Sequence, residues 1–264
     1  MRHIGVMAGT GAIGLIAIFA VDLINLLYVS MLGEQAIAAA VGFAGVVGFF
    51  HLSLYIGLLI GITAVVSRTI GAHRMADARA LATSSLVITA ILAVVLSGAT
   101  LLFLEPVLQL LGTRGRVLES AHRFLLITLP SSVLLGMGMT CSALLRSVGD
   151  ARRAMLVTLL PAVVTAVLDP VFIFGLGLGL DGAAIVLVIA RFVLLGVGLF
   201  GAWHVQKLLA PLRLNRLRAD ARTLFVVAGQ ATIDRLTPVA FGLIYCLSGA
   251  GGAGVVAKPG GQAV

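Results

Sequence analysis

The sequence predicts an all-α polytopic membrane protein, and three observations carry that prediction. Of its 264 residues 60% are hydrophobic and only 11% charged, with a mean hydropathy of +1.16. Soluble domains run at roughly 45–50% apolar and about 25% charged. Apolar stretches long enough to cross a bilayer, about 20 residues, follow one another along the chain, so a single cleavable signal peptide does not account for them. These runs are continuous and rich in Leu, Ala and Val, whereas a spanning β-barrel reads as short alternating segments.

Seven helices are predicted. The first, 6–31, is an apolar run interrupted by one carboxylate. The second, 37–66, is long enough to tilt or bend. The third covers 81–103. The fourth, 124–145, contains Pro130. The fifth, 155–174, contains Pro161 and Pro170. The sixth, 182–203, carries Arg191, and the seventh, 224–247, carries Pro238. A proline removes a backbone donor and bends a helix, which membrane helices tolerate as packing kinks or use to line a cavity. The 32 glycines, with the many alanines, let helices approach closely. The run GLGLGLDG between the fifth and sixth helices follows a membrane helix, not a strand, so it reads as a tight external turn and not as a phosphate loop. The stretch 249–264 is Gly-rich and aperiodic, and is expected to be disordered.

The net charge of +8 is distributed unevenly. Arg2 and the connections 67–80, 146–153 and 204–222 hold 12 of the 18 basic residues, all on one side if the helices alternate. The positive-inside bias then places the N-terminus in the cytoplasm and the end of the seventh helix outside. The basic excess is explained by cytoplasmic loops and anionic headgroups, with no nucleic-acid partner. Cys141 and Cys246 lie in apolar stretches without metal-ligand spacing and read as packing residues. No nucleotide-binding, zinc-protease or nucleophile-elbow motif occurs, so the chain is not expected to be an enzyme or to need a cofactor.

Three of the ten acidic residues fall inside predicted spans: Asp22, Asp169 and Asp234. A charge at the bilayer centre costs about 3 kcal/mol on insertion scales, so such a residue faces a cavity or a partner. Withdrawal from water favours the protonated carboxyl, and a group of that kind can take a proton on one side and release it on the other. Asp22 has Asn25 and Ser30 as polar company, and Asp169 has Thr165 one turn earlier and Pro170 beside it. Asp234 stands next to Arg235 and one turn after Gln230. The alternative for each is a hydrogen-bonded packing residue. Arg191 is expected to find an internal partner, an Asp among the possibilities, or to reach an interface. His51, beside Phe49 and Phe50, reads as a hydrogen-bonded core histidine.

The blocks VDLINLLYVSMLGEQAIAAAVGF, ALLRSVGDARRAM and VLDPVFIFGLGLGLDGAAIVLVIAR, in this order, resemble the N-terminal half of a MATE-type (multidrug and toxic compound extrusion) transporter over about 5–242. The resemblance implies a six-helix transporter lobe, residues 1–210. A cytoplasmic linker and the start of a second bundle follow over 211–248. It implies an ion-driven antiporter in a bacterial inner membrane that exports amphipathic, often cationic, drugs or toxins in exchange for H⁺ or Na⁺. By that likeness Asp22 and Asp169 carry the coupling cation, with Asn25, Thr165, Pro170, Arg191 and Asp234 as possible supports. Sodium-binding relatives have an Asn where this chain has Thr165, and often a Thr where it has Leu187. A hard cation needs several oxygen ligands, so the proton is favoured. A second lobe is missing from the expected whole, so truncation, or assembly with a second copy, is expected. Two further readings stay open: a lipid-linked saccharide flippase of the same superfamily, and a non-transporting membrane scaffold or decayed half-transporter.

Overall fold

The computed structural model describes residues 28, 35–211, 217, 220–227 and 229 of the chain. The expected first and seventh helices, with Asp22, Asn25 and Asp234, fall outside this set except for Tyr28, Leu224–Val227 and Gly229. So does the Gly-rich tail.

The described residues form helices α1 (Gln35–Gly71), α2 (Met75–Leu102), α3 (Leu104–Leu110), α4 (Gly115–Thr128), α5 (Ser132–Ser147), α6 (Ala151–Pro170) and α7 (Gly179–Phe200). Single π-helical turns, Val171–Gly175 and Gly201–Val205, extend α6 and α7. Among the described residues no strand occurs. Four helices are long and apolar enough to cross a membrane, and α4 with α5 makes a fifth span if that bent pair is counted as one.

The elements follow from local chemistry. Long Leu/Ala/Val runs bury nothing polar and satisfy their own backbone within the helix, which a bilayer demands. Their outward faces are apolar: Val95, Val167 and Phe192 are about 60% exposed, as lipid-facing residues should be. Helix α6 starts at Asp150, whose carboxylate accepts from the Arg153 amide at 3.2 Å and caps the first turn. Gly149, at φ +82°, supplies the left-handed residue that ends α5. The expected external turn between the fifth and sixth spans is observed as Leu176–Leu178, with Gly177 and Gly179 at φ +66° and +53°.

The expected fourth helix, 124–145, is corrected in two ways. It begins earlier, at Gly115, and it is broken at Leu129–Ser131, where α4 and α5 meet at 52°. Pro130 has no N–H to continue the ladder and its ring clashes with the preceding turn. The fifth helix is not interrupted by its prolines: α6 runs through Pro161 without a break, and past Pro170 the winding widens into the π turn. A turn that bonds i to i+5 absorbs the missing donor without interrupting the span.

Helix ends segregate by charge. Arg68, Arg74, Arg79, Arg146, Arg152 and Arg153 lie where α1 meets α2 and where α5 meets α6, at one end of the bundle. The segment after α7 is tied to that same end. Thr83 and Ala210 exchange hydrogen bonds at 2.9 and 3.0 Å, Ser84 donates to Asp220 at 2.7 Å, and Gln206 donates to Asp150 at 2.7 Å. Leu208 and Leu224 bury themselves here with Ile62, Val66, Ala82 and Leu144. At the opposite end a second apolar cluster gathers Ala40, Ala44, Val47, Leu104, Leu108 and Leu125. Between these two apolar caps lies a layer of buried polar side chains.

Candidate functional site

Asp169 lies at the last full α-helical turn of α6, one residue before Pro170. It is 1% exposed, and neither Oδ1 nor Oδ2 has a hydrogen-bond partner among the described residues. A buried carboxylate without partners is strongly unfavourable as a static arrangement. Thr165, one turn earlier, is buried as well, but its hydroxyl donates to the Pro161 carbonyl at 3.0 Å rather than to Asp169. The π turn that follows is held by the Leu176 amide donating to Val171 O at 2.9 Å. Gly182 of α7 sits against this turn so closely that a Cβ there would come within 2.8 Å of the Phe172 carbonyl oxygen. The ring of Tyr28 packs edge-on against Phe174 with centroids 5.9 Å apart.

The polar layer has its centre at the break between α4 and α5. Interrupting the ladder turns the Ser132 amide to Leu129 O at 2.9 Å and leaves the Thr128 carbonyl to side-chain donors. Ser97 of α2 donates to Leu129 O at 2.7 Å, and Ser131 donates to Thr128 O at 2.7 Å. Arg191, from α7, reaches the same place: its Nη1 donates to Thr128 O at 2.5 Å and to Ser131 Oγ at 2.7 Å. Thr89 of α2 and Thr140 of α5 share a hydrogen bond of 3.0 Å. His51 donates from Nδ1 to the Val47 carbonyl at 3.0 Å, and its Nε2 meets Thr100 Oγ1 at 3.3 Å. It is thus a bonded core histidine. Tyr55, 1% exposed, packs over Gly136, one turn after the 3%-exposed Ser132, and neither the Tyr55 nor the Ser132 hydroxyl makes a close hydrogen bond among the described residues.

Asp169 and Arg191 do not pair. Among the described residues the ion pairs are Arg74–Asp77, Arg123–Asp181 and Arg153–Asp150, all toward the helix ends. Arg191 therefore finds its internal partners in a freed carbonyl and a hydroxyl, not in a carboxylate. Whether Asp22 meets Asp169 lies outside the described residues. Tyr55, Ser97, Ser131 and Ser132 were not singled out from the sequence. The signal available was the Ser-Ser pair directly after Pro130, where freed carbonyls call for short hydroxyl donors. Cys141, free and fully buried, packs at the α5–α7 crossing.

These features define a polytopic helical membrane protein with a polar interior and, among the described residues, an internal acid, Asp169, without a hydrogen-bond partner. The chain belongs to the MatE family, whose model matches residues 12–171. It is similar to a Shewanella oneidensis protein named FAD transporter, 29% identical over 242 residues that cover 89% of this chain and 53% of that one. It is also similar to the probable multidrug resistance protein NorM of Thermotoga maritima, at 29% identity over 60% of this chain and 35% of that one. A solved Vibrio cholerae MATE transporter, VcmN, matches with a TM-score of 0.85 and 26% identity over 90% of this chain and 54% of that one. The chain thus spans about half the length, or less, of the curated relatives it matches, as a likeness to the N-terminal half of such a transporter requires.

Proposed function

We propose that the chain is the N-terminal lobe of a cation-coupled efflux antiporter of a bacterial inner membrane, with Asp169 and Asp22 as its coupling carboxylates. The observation that carries this reading is Asp169 itself: buried to 1% exposure with both oxygens unpartnered among the described residues. A group held in that state invites a proton or a metal cation, and an ion-driven carrier needs such a group.

The contact between Tyr28 and Phe174 supports bringing Asp22 to the same depth. The first and fifth spans are both predicted to run from the basic end outward. Asp22 precedes Tyr28 by about 9 Å of helix rise, and Asp169 precedes Phe174 by about 7.5 Å, at 1.5 Å per residue. The proton is preferred to sodium because Thr165 replaces an amide, Leu187 brings no oxygen, and a sodium cage needs several oxygens. Protonation would then rewind the π turn after Pro170 and lower the affinity for a cationic solute. The wall opposite this lobe comes from a second lobe or a second copy of the chain. Relatives named for multidrug resistance favour drugs and toxins as cargo. The relative named for FAD keeps a dinucleotide in view. The flippase reading would require a basic chamber, of which Arg191 is one wall residue.

The test is ethidium efflux from proteoliposomes containing the full chain under an imposed pH gradient, with and without sodium. Proton-driven efflux is expected for the unaltered chain, and none for Asp169→Asn at equal insertion. Equal efflux by both would remove Asp169 from the mechanism. Absence of efflux from the unaltered chain, both alone and reconstituted together with a second transporter lobe, would leave the scaffold reading in its place.

A further inference from the structure

The carriage of a full positive charge by Arg191 is not explained by its two hydrogen bonds. Both run through Nη1, to Thr128 O and Ser131 Oγ, and satisfying a freed carbonyl needs only a neutral donor. Nε is buried with no hydrogen-bond partner, and no carboxylate pairs with the guanidinium among the described residues. Nε and the neighbouring Nη2 form the side of a guanidinium that grips a planar or tetrahedral oxyanion with two parallel bonds.

Two further groups are deeply buried and make no close hydrogen bond among the described residues: Tyr55 Oη and Ser132 Oγ, each able to donate. Ser132 directly follows Ser131, the hydroxyl that Arg191 Nη1 holds at 2.7 Å, so Ser132 and Arg191 share one region of the polar layer. Gly136, one turn after Ser132, lets Tyr55 approach: a Cβ there would be 3.3 Å from Tyr55 Cε1. A buried cation with no carboxylate partner among the described residues, near two hydroxyls that close no short hydrogen bond there, is a set of groups able to receive an anion. Nothing in the set is itself an anion.

We propose that Arg191, Tyr55 and Ser132 form an oxyanion-binding site in the polar layer, which receives the phosphate or carboxylate group of a transported amphipathic solute. Nη1 anchors the guanidinium to the broken span, and the Nε–Nη2 edge faces the ligand. The two hydroxyls donate to its remaining oxygens. The site is separate from Asp169, which forms no ion pair with Arg191, so a zwitterionic or anionic solute could be held while the acid exchanges its cation. That the occupant is a transported solute rests on the transport reading; the site itself does not.

The test is binding, measured by calorimetry on the full chain in phosphatidylcholine nanodiscs, of 1-naphthyl phosphate, uncharged 1-naphthol and cationic 1-naphthylmethylammonium. The unaltered chain should prefer the phosphate to the naphthol by about tenfold, the increment expected from charge-assisted hydrogen bonds. Arg191→Gln, which keeps a donor for Thr128 O, should abolish the preference, and Arg191→Lys should retain part of it. Tyr55→Phe, which deletes one oxygen and leaves the ring packed, should weaken it. The exposed Arg123→Gln should change nothing. Equal binding of the three probes by the unaltered chain, or a preference that survives both Arg191→Gln and Tyr55→Phe, would overturn the site. If phosphatidylglycerol nanodiscs suppress phosphate binding only while Arg191 is present, the oxyanion site stands and its occupant is a lipid headgroup. A preference found in a chain that fails the ethidium assay would sink the transport reading alone.

Discussion

At Asp169 and Asp150 the same side chain meets opposite surroundings. Asp169 is enclosed without a partner among the described residues, a state that costs several kcal/mol in a static protein and is tolerated where the charge has work to do. Asp150 sits just before α6, where it caps the helix and receives hydrogen bonds from Arg153 and Gln206. Burial alone would raise its pKa, but those hydrogen bonds outweigh the burial and hold it below the ordinary value of 3.8. A depressed carboxyl stabilises the fold above its unfolded pKa, and that contribution is lost as the pH falls through the folded value. We therefore expect Asp150→Ala to lower stability by about 1 kcal/mol at neutral pH, the usual worth of an N-cap. The deficit relative to the unaltered chain should shrink on acidification below about pH 4. Thermal unfolding in detergent at several pH values checks both statements.

Among the described elements, α5 and α7 approach each other closely. A Cβ on Gly198 would lie 2.7 Å from Cys141 Cβ, and one on Gly138 would lie 1.6 Å from Leu194 Cδ2. Small residues at a crossing are what helices in lipid use in place of a hydrophobic driving force. Gly198→Leu should therefore destabilise the chain by about 1–3 kcal/mol, the usual cost of overpacking. Gly196→Leu is the matched control, because a Cβ at Gly196 meets nothing within 4 Å. Equal melting temperatures for the two variants would contradict the packing account. The α4–α5 break belongs to this scale too: it exchanges a continuous span for a Thr128 carbonyl that Ser131 and, from α7, Arg191 satisfy.

For the whole molecule, two apolar clusters enclose a polar layer, and the arginine-rich helix ends gather at one face. The charge asymmetry predicts that this face is cytoplasmic. A cysteine placed at Arg116, toward the opposite end, should react with a membrane-impermeant maleimide in intact cells. One placed at Arg74 should react only after permeabilisation, in a chain whose Cys141 and Cys246 have been replaced by Ala. The reverse pattern would invert the topology. This outcome, unlike the efflux and binding tests, depends on neither Asp169 nor Arg191.

Much of the architecture was legible in the sequence because its determinants are local. Apolar run length set the spans, loop arginines set the two faces, and the order of three short blocks pointed to the MatE family. Asp169 was legible because a lone carboxylate in VVTAVLDPVFIFG has no local compensation. The proline kinks were legible only in kind. Pro130 breaks its span while Pro161 and Pro170 do not, because what surrounds each proline decides whether the freed groups are met by neighbouring side chains or absorbed by a change of winding. The sequence by itself determined that this chain crosses a membrane as helices and carries an acid inside them. Only the tertiary structure decided what Arg191 meets. Its partner carbonyl lies 63 residues away along the chain, on a different span, and a charge–carbonyl contact across that separation exists only once the helices have packed.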